Sequence, residues 1–285
     1  MISYTLPDFT ASLGLNLFFA RLYAERPTWM LPDTRIASLY GCFPGCKLNG
    51  GRSYIRAQAP TDAIERTFAI LEEYGLVPRL TLTNMLATPE DLDDPYARRI
   101  LEAAARHGGE AIVYSDEVGR EIRRRWGMPL VLSTTRALET TYEVNRACRT
   151  YDWVVLNYNH HKDPAFLSAL EQPERAEVMV NEFCVRNCPH RQEHYLLNSQ
   201  DQRSAQQRPF ECVAKQGDFF EHAQGHPVTF TNEEVAQVNR DFGIGYFKIV
   251  GRGVPFATQL ESLAYYLVRP EYRADAKRLV MAQMC

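Results

Sequence analysis

Residues 111–159 read AIVYSDEVGREIRRRWGMPLVLSTTRALETTYEVNRACRTYDWVVLNYN, and this stretch decides the fold. Three short β-branched or apolar runs (111–114, 130–132 and 153–156) alternate with two segments of helical composition. The first segment, 117–126, closes at Gly127, a residue that tolerates the left-handed conformation ending many helices. The second, 136–149, leads directly into the next run. A strand–helix–strand–helix–strand order with connections this short implies parallel strands joined by right-handed crossovers.

The rhythm extends in both directions. Runs at 36–40 and 80–83 precede this stretch, and runs at 178–180 and 247–250 follow it. A helical segment at 61–74 closes at Gly75, and another at 95–107 closes at Gly108-Gly109. A barrel and an open doubly wound sheet both accommodate such alternation. The open sheet calls for a glycine-rich phosphate turn after its first strand, and neither GxGxxG nor GxxxxGK[ST] occurs. The barrel calls instead for polar residues just past the carboxyl ends of its strands. Here the runs end in Gly41-Cys42, Thr83-Asn84, Ser115-Asp116, Ser133-Thr134-Thr135, Asn157-Tyr158-Asn159, Asn181-Glu182 and Gly251-Arg252. Turn chemistry accounts for part of that pattern, because Asn, Asp, Ser and Gly favour turns. The expected fold is therefore a TIM-like (β/α) barrel with seven or eight parallel strands, residues 1–285 forming one barrel domain. Seven strands are legible; the eighth is missing or supplied by a terminus that reads as helix. Residues 1–35 read as an N-terminal docking helix, with Leu13, Leu17 and Phe18 at helical spacing and Pro27 as a stop.

Composition narrows the function classes. With 45% hydrophobic and 24% charged residues, the chain is neither disordered nor fibrous. A net charge of −3 gives no global reason to expect nucleic acid, which is the less favoured partner, and favours a small substrate over RNA; the local cations Arg52, Lys248 and Arg252 suggest that this substrate is anionic. No window offers ~18 apolar residues without charge, so no membrane span is expected. The opening segment lacks the basic region and the uninterrupted apolar core of a signal peptide, and the expected compartment is the cytoplasm. Thiols stay reduced there, which turns the seven cysteines into candidates for metal binding or catalysis.

One stretch breaks the rhythm. Residues 181–246 separate the sixth run from the seventh, far more than a crossover needs, and 182–230 reads as a metal-binding insertion on the barrel's functional face. It contains NEFCVRNCPHRQEHY and, later, PFEC, placing Cys184, Cys188 and Cys212 in a C-x3-C-x23-C spacing. Thiolates are soft ligands, suited to zinc or to iron–sulfur clusters. His190 or His194 would complete a zinc tetrahedron, whereas Cys42 or Cys46, after the first run, would give a cluster its fourth thiolate. Buried apolar fillers and a purely structural zinc staple are the competing readings.

Other polar groups fall at the same end. In Asn49-Gly50-Gly51-Arg52 the glycines would let the backbone approach a ligand, with Arg52 as a fork for an acidic group. Lys248 and Arg252 flank Gly251, and with Asn84 and Asn181 they are the candidates for catalysis. Asn49, Arg52, Asn157 and Asn159 are the candidates for substrate binding. His160-His161 reads as a surface pair, and Arg120, Arg123, Arg124 and Arg125 as a solvated helix face.

The late cysteine insertion, followed by Phe247-Lys248-Ile249-Val250-Gly251-Arg252, resembles the collagenase-like peptidase family, the unassigned peptidases numbered thirty-two. Its members carry a similar lysine–isoleucine–glutamate–glycine–arginine motif after a cysteine cluster that binds a [4Fe-4S] centre. The better understood ones look like oxygen-independent hydroxylases of RNA bases or of the ubiquinone ring, with prephenate implied as oxygen donor in some. The resemblance spans residues 36–270 in outline. It implies that Cys184, Cys188 and Cys212 are cluster ligands and that Lys248 and Arg252 match the strand motif. Val250 stands where the family has glutamate, and the fourth ligand must be Cys42, Cys46, a histidine or an exogenous group. The expectation is an iron–sulfur barrel enzyme acting on a small anionic or aromatic metabolite or a modified nucleoside, by hydroxylation, dehydration or sulfur abstraction. A zinc-dependent hydrolase, or a non-catalytic barrel with a structural zinc, is the alternative.

Overall fold

The computed structural model describes residues 1–50, 57–212 and 226–284. Eight parallel strands close into a barrel in sequence order: β1 (Ile2–Pro7), β2 (Thr34–Gly41), β3 (Val77–Leu82), β4 (Glu110–Val113), β5 (Leu130–Leu132), β6 (Trp153–Val155), β7 (Ala176–Met179) and β8 (Tyr246–Lys248). Strand β8 closes the ring by pairing with β1, Lys248 opposite Thr5, and on its other side with β7, Lys248 opposite Met179. Helices surround the ring: α1 (Leu13–Glu25), α2 (Thr61–Glu73), α3 (Pro95–Arg106), α4 (Asp116–Trp126), α5 (Thr141–Cys148), α6 (Pro164–Ser168), α7 (Arg191–Ser204), α8 (Asn232–Phe242), α9 (Phe256–Leu267) and α10 (Arg273–Met284).

The missing strand is at the amino terminus. Residues 1–35 are not a docking helix alone, because β1 comes first and α1 only afterwards. The alternation Ile2-Ser3-Tyr4-Thr5-Leu6 carries the strand period. Tyr4 faces the helices, its ring 6.3 Å from both Phe247 and Tyr266. Thr5 faces the barrel interior, where its hydroxyl donates to Glu177 at 2.5 Å. With this strand counted, the cysteine-bearing excursion follows the seventh strand rather than the sixth. An isolated bridge between Asn181 and Thr229 ties its two ends together.

Local sequence explains the helix boundaries. Ser115 accepts from the Val118 amide and opens α4, while Gly127, at φ 66°, closes it. Thr140 with Glu143 and Thr231 with Glu234 form reciprocal caps on α5 and α8. Alanine-rich α3 turns Ile100, Leu101, Ala103 and Ala104 inward, all fully buried.

Inside the ring the side chains form layers, as closed parallel barrels require. The floor is ionic. Arg79 bonds Glu110 at 2.5 Å and Glu177 at 2.8 Å, donates to Thr5 at 3.1 Å, and lies over the rings of Trp153 and Tyr246. Above it sits an apolar layer that includes Tyr40, Ile112, Val131, Val155 and Met179. Among the described residues no helix is long and apolar enough to cross a membrane.

Candidate functional site

At the carboxyl end of the strands lies a cavity of about 550 Å³. Its walls carry Thr81, Thr83 and Ser133–Thr135 from the strand ends, and Lys248 and Arg252 from the end of β8 and beyond. Helix α7 roofs one side. It is fastened by Ser199, which accepts from Asn84 through its carbonyl and from the Met85 amide through its hydroxyl, and by Gln202, which donates to the Cys46 carbonyl.

Cys184, Cys188 and Cys212 all open onto this cavity, together with His190 and His194. Each of the three cysteines is free of disulfide. Cys184 and Cys188 share a side-chain hydrogen bond; the Cys188 thiol is pushed up by partial burial and then by Cys184 and Cys212 nearby. The turn that carries them is braced from below. Glu182 accepts from the Phe183 amide at 2.9 Å and the Cys184 amide at 3.1 Å through one oxygen, and pairs with Arg191 at 2.9 Å through the other. The Arg191 guanidinium lies 4.1 Å over the Tyr158 ring and 4.9 Å over that of Tyr195, and the Tyr158 hydroxyl donates to the Val185 carbonyl. The donor set suits a thiolate-held group in kind, with three soft sulfur ligands on one cavity. In geometry it is not drawn shut: among the described residues no three His, Cys, Asp or Glu side chains stand close enough together to enclose a metal ion.

Cys42 and Cys46 do not join these three. Both are buried in the apolar core below the first loop, beside Phe43 and Leu48, and they hydrogen-bond to each other. That bond and burial hold the Cys42 thiol well above its usual range. Neither sulfur lines the cavity, so the fourth-ligand role expected of Cys42 is not supported by its position. His190 and His194 do line it, the first 3.2 Å from Glu193 and the second stacked on Phe210 at 4.3 Å.

Lys248 lines the cavity from the last residue of β8. It is 8% exposed, and its Nζ lies 3.9 Å above the centroid of the Tyr40 ring. Among the described residues its Nζ has neither a hydrogen bond nor an ion pair. Burial, then Arg79 and Arg252, hold its pKa down at about 8 against the pull of Glu177. Arg252 has a different job. Its guanidinium donates to Asn49 Oδ1 at 3.2 Å, to Thr81 Oγ1 at 2.8 Å and to the Gly50 carbonyl at 3.2 Å. It braces the loop after β2 as well as facing the cavity.

The asparagines expected at the site all bond to protein neighbours. Asn84 donates to the Asn49 and Ser199 carbonyls and accepts from the Leu86 amide. Asn181 exchanges two bonds with the Val250 backbone, at 2.8 and 2.6 Å. Asn157 donates to Glu139 and accepts from the Asn159 amide, while Asn159 accepts from the Asn187 amide and so fixes the cysteine turn. Asn49 is fully buried against Arg252. None of the five lines the cavity, and their hydrogen bonds tie loops together. Gly50 likewise approaches protein rather than ligand, since a Cβ there would run into the Thr83 carbonyl. Arg52 lies outside the described residues.

His160 and His161 also part company. His160 bonds Glu139 at 2.7 Å and stacks on Phe166, whereas His161 is fully buried, packed edge-on against Phe230. Burial pushes its pKa down to about 3. The residues that sequence reasoning missed are Tyr40, Tyr158 and Arg191. Only Tyr40 has a legible signal, one strand period before Cys42.

No family model matches the sequence, and no curated protein matches it. Among solved structures the chain is similar to the U32 peptidase Mk0906, with 14% identity and a TM-score of 0.55 over 90% of this chain and 94% of that one. A spore cortex-lytic enzyme, SleL of Bacillus cereus, also aligns, at 11% identity and a TM-score of 0.41 over 93% of this chain and 74% of that one. At these identities the likeness is one of fold, and the fold it supports is the closed parallel barrel.

Proposed function

We propose that the chain is a distant relative of the collagenase-like peptidases and an iron–sulfur barrel enzyme acting on a small anionic or aromatic metabolite. The observation that carries this reading is the convergence of Cys184, Cys188 and Cys212 on the cavity that also holds Lys248. The barrel likeness to the U32 peptidase Mk0906 supports it at the level of fold.

Cys184, Cys188 and Cys212 would hold the cluster. When bound, a cluster with three protein thiolates supplies an open iron that acts as a Lewis acid. The protein's own groups do the rest. The pair Glu182–Arg191 fixes the cysteine turn and supplies the outer support that metal ligands need. Lys248 receives a negatively charged or electrophilic group at the bottom of the cavity. The hydroxyls of Thr81, Thr83 and Ser133 offer neutral hydrogen bonds along its wall, and α7 limits the entry of water.

Anaerobic purification followed by iron and sulfide analysis tests the assignment. Several iron and sulfide ions per chain, with a broad visible absorption that bleaches on reduction, are expected. A colourless protein holding zinc, or no metal, overturns it. The zinc result would favour the second reading, a hydrolase with three cysteines and one histidine, which rests on His190 and His194 lining the same cavity.

A further inference from the structure

Lys248 is an isolated amine at the bottom of an open cavity. Its side chain rises from the last residue of β8, where a closed barrel presents reactive groups. The groups around it come from several elements. Glu177 on β7 and Arg79 on β3 lie below, Tyr40 on β2 lies against it, and Arg252 lies beyond β8. Glu110 bonds Arg79, and Glu177 bonds Arg79 and Thr5 through Oε1, while its buried Oε2 has no hydrogen-bond partner among the described residues. Among the described residues Lys248 has no anion within ion-pair distance, in contrast to Lys162 and Lys277, which pair with Glu234 and Glu261 at 2.7 and 2.6 Å.

Burial, with the Arg79 and Arg252 charges, disfavours the ammonium against the pull of Glu177 and the face of the Tyr40 ring, so the free amine is within reach near neutrality. The charge of the walls selects the ligand. Arg191, Arg208, Lys248 and Arg252 face the cavity against Glu182 and Asp201, and both acids are already ion-paired. A carboxylate is thus welcome beside a group that the amine can attack.

We propose that Lys248 condenses with the carbonyl of a small 2-oxo acid to form an imine. The nitrogen lone pair adds to the carbonyl carbon, and the carbonyl π electrons pass to oxygen. That oxygen takes up a proton as the nitrogen releases one, giving a carbinolamine. Loss of the hydroxyl with a further proton, as water, leaves the C=N bond. Neither oxidant nor reductant enters, and the only by-product is water. The imine carbon becomes electron-poor, which activates the neighbouring bonds of the bound acid. This inference rests on the mouth being the substrate cavity and is independent of which group the cysteines hold.

The full-length chain is treated with pyruvate and cyanoborohydride at pH 8 and mapped by peptide mass spectrometry. Iron and sulfide are measured on the same preparation. Cyanoborohydride delivers hydride to the C=N bond and leaves a stable secondary amine. Adduct at Lys248 at least about tenfold above that at Lys277, whose amine is held by Glu261, is expected. Adduct spread evenly over both, or absent from Lys248, overturns the proposal. Hydroxyacetone serves as the neutral comparison; if it labels Lys248 as well as pyruvate does, the assignment to an acid fails. Because the adduct is mapped on the unaltered chain, the result does not depend on how Lys248→Met folds. A trapped Lys248 in protein without iron would retain this inference and sink the cluster; an iron-loaded protein with Lys248 untouched would do the reverse.

Discussion

The two ends of the barrel interior handle charge in opposite ways. At the floor, Arg79 is 2% exposed, yet every one of its strong electrostatic demands is met by Glu110, Glu177 and Thr5. Burial works against its charge, and the two carboxylates more than offset that, so it stays ionised. At the mouth, Lys248 is nearly as buried and, among the described residues, has no such partner. A paired buried charge specifies the strand register and is chemically quiet. An unpaired one that opens onto a cavity is available to a ligand.

The largest expected effect would break this comparison outright. Cys184→Ser or Cys188→Ser should abolish iron and sulfide retention in anaerobically purified protein while the circular-dichroism melting profile stays close to the parent's. A collapse of the fold in both variants would mean that the mouth is as structural as the floor.

Next comes the floor itself. Glu177→Gln leaves Arg79 with one carboxylate and weakens the bond from Thr5, so a loss of roughly 3–5 kcal/mol in urea unfolding is expected. A loss under about 1 kcal/mol would mark the ionic layer as dispensable.

A smaller effect concerns Lys248, held at about 8 against the usual 10.5. Below pH 8 both folded and unfolded chains carry the proton, and the burial cost is present in full. Between about 8 and 10.5 only the unfolded chain carries it, so stability should rise with pH, by at most about 1.4 kcal/mol per unit. Comparing unfolding midpoints of the parent and Lys248→Met across that window checks it: the variant's profile should be flatter, and parallel profiles would contradict the depressed value.

The smallest effect is the control. Arg98→Ala removes an exposed pair with Glu102 one helical turn away and should change stability by under about 0.5 kcal/mol. A larger change would show that surface pairs matter here in a way the interior comparison does not capture.

Much of the barrel is legible in the sequence because strand and helix periods are local. The runs that end at Asn84, Ser115, Ser133, Asn157 and Asn181 lie where strands end, and the glycine at 127 closes a helix as expected. The eighth strand escaped because Ile2–Pro7 is short and abuts a stronger helical pattern starting at Leu13. The polar strand ends marked the correct face of the barrel, but the asparagines among them are spent on turns and strand bridging. Side-chain type cannot distinguish an amide that greets a ligand from one that ties two loops together. Tyr158 and Arg191 gave no signal, since their value comes from stacking on each other beside the cysteine turn.

The sequence by itself determined the alternation of strands and helices, the parallel barrel, and the interest of Cys184, Cys188, Cys212 and Lys248, because periodicity and residue chemistry are written one residue at a time. Only the tertiary structure decided which of these share a cavity. It brought the three cysteines to the mouth over a separation of 28 positions, from 184 to 212, and buried Cys42 and Cys46 in the core instead. It also paired Arg79 and, among the described residues, left the Lys248 amine without an ion-pair partner. Pairing depends on distances between strands far apart in the chain, and those are fixed only when the barrel closes.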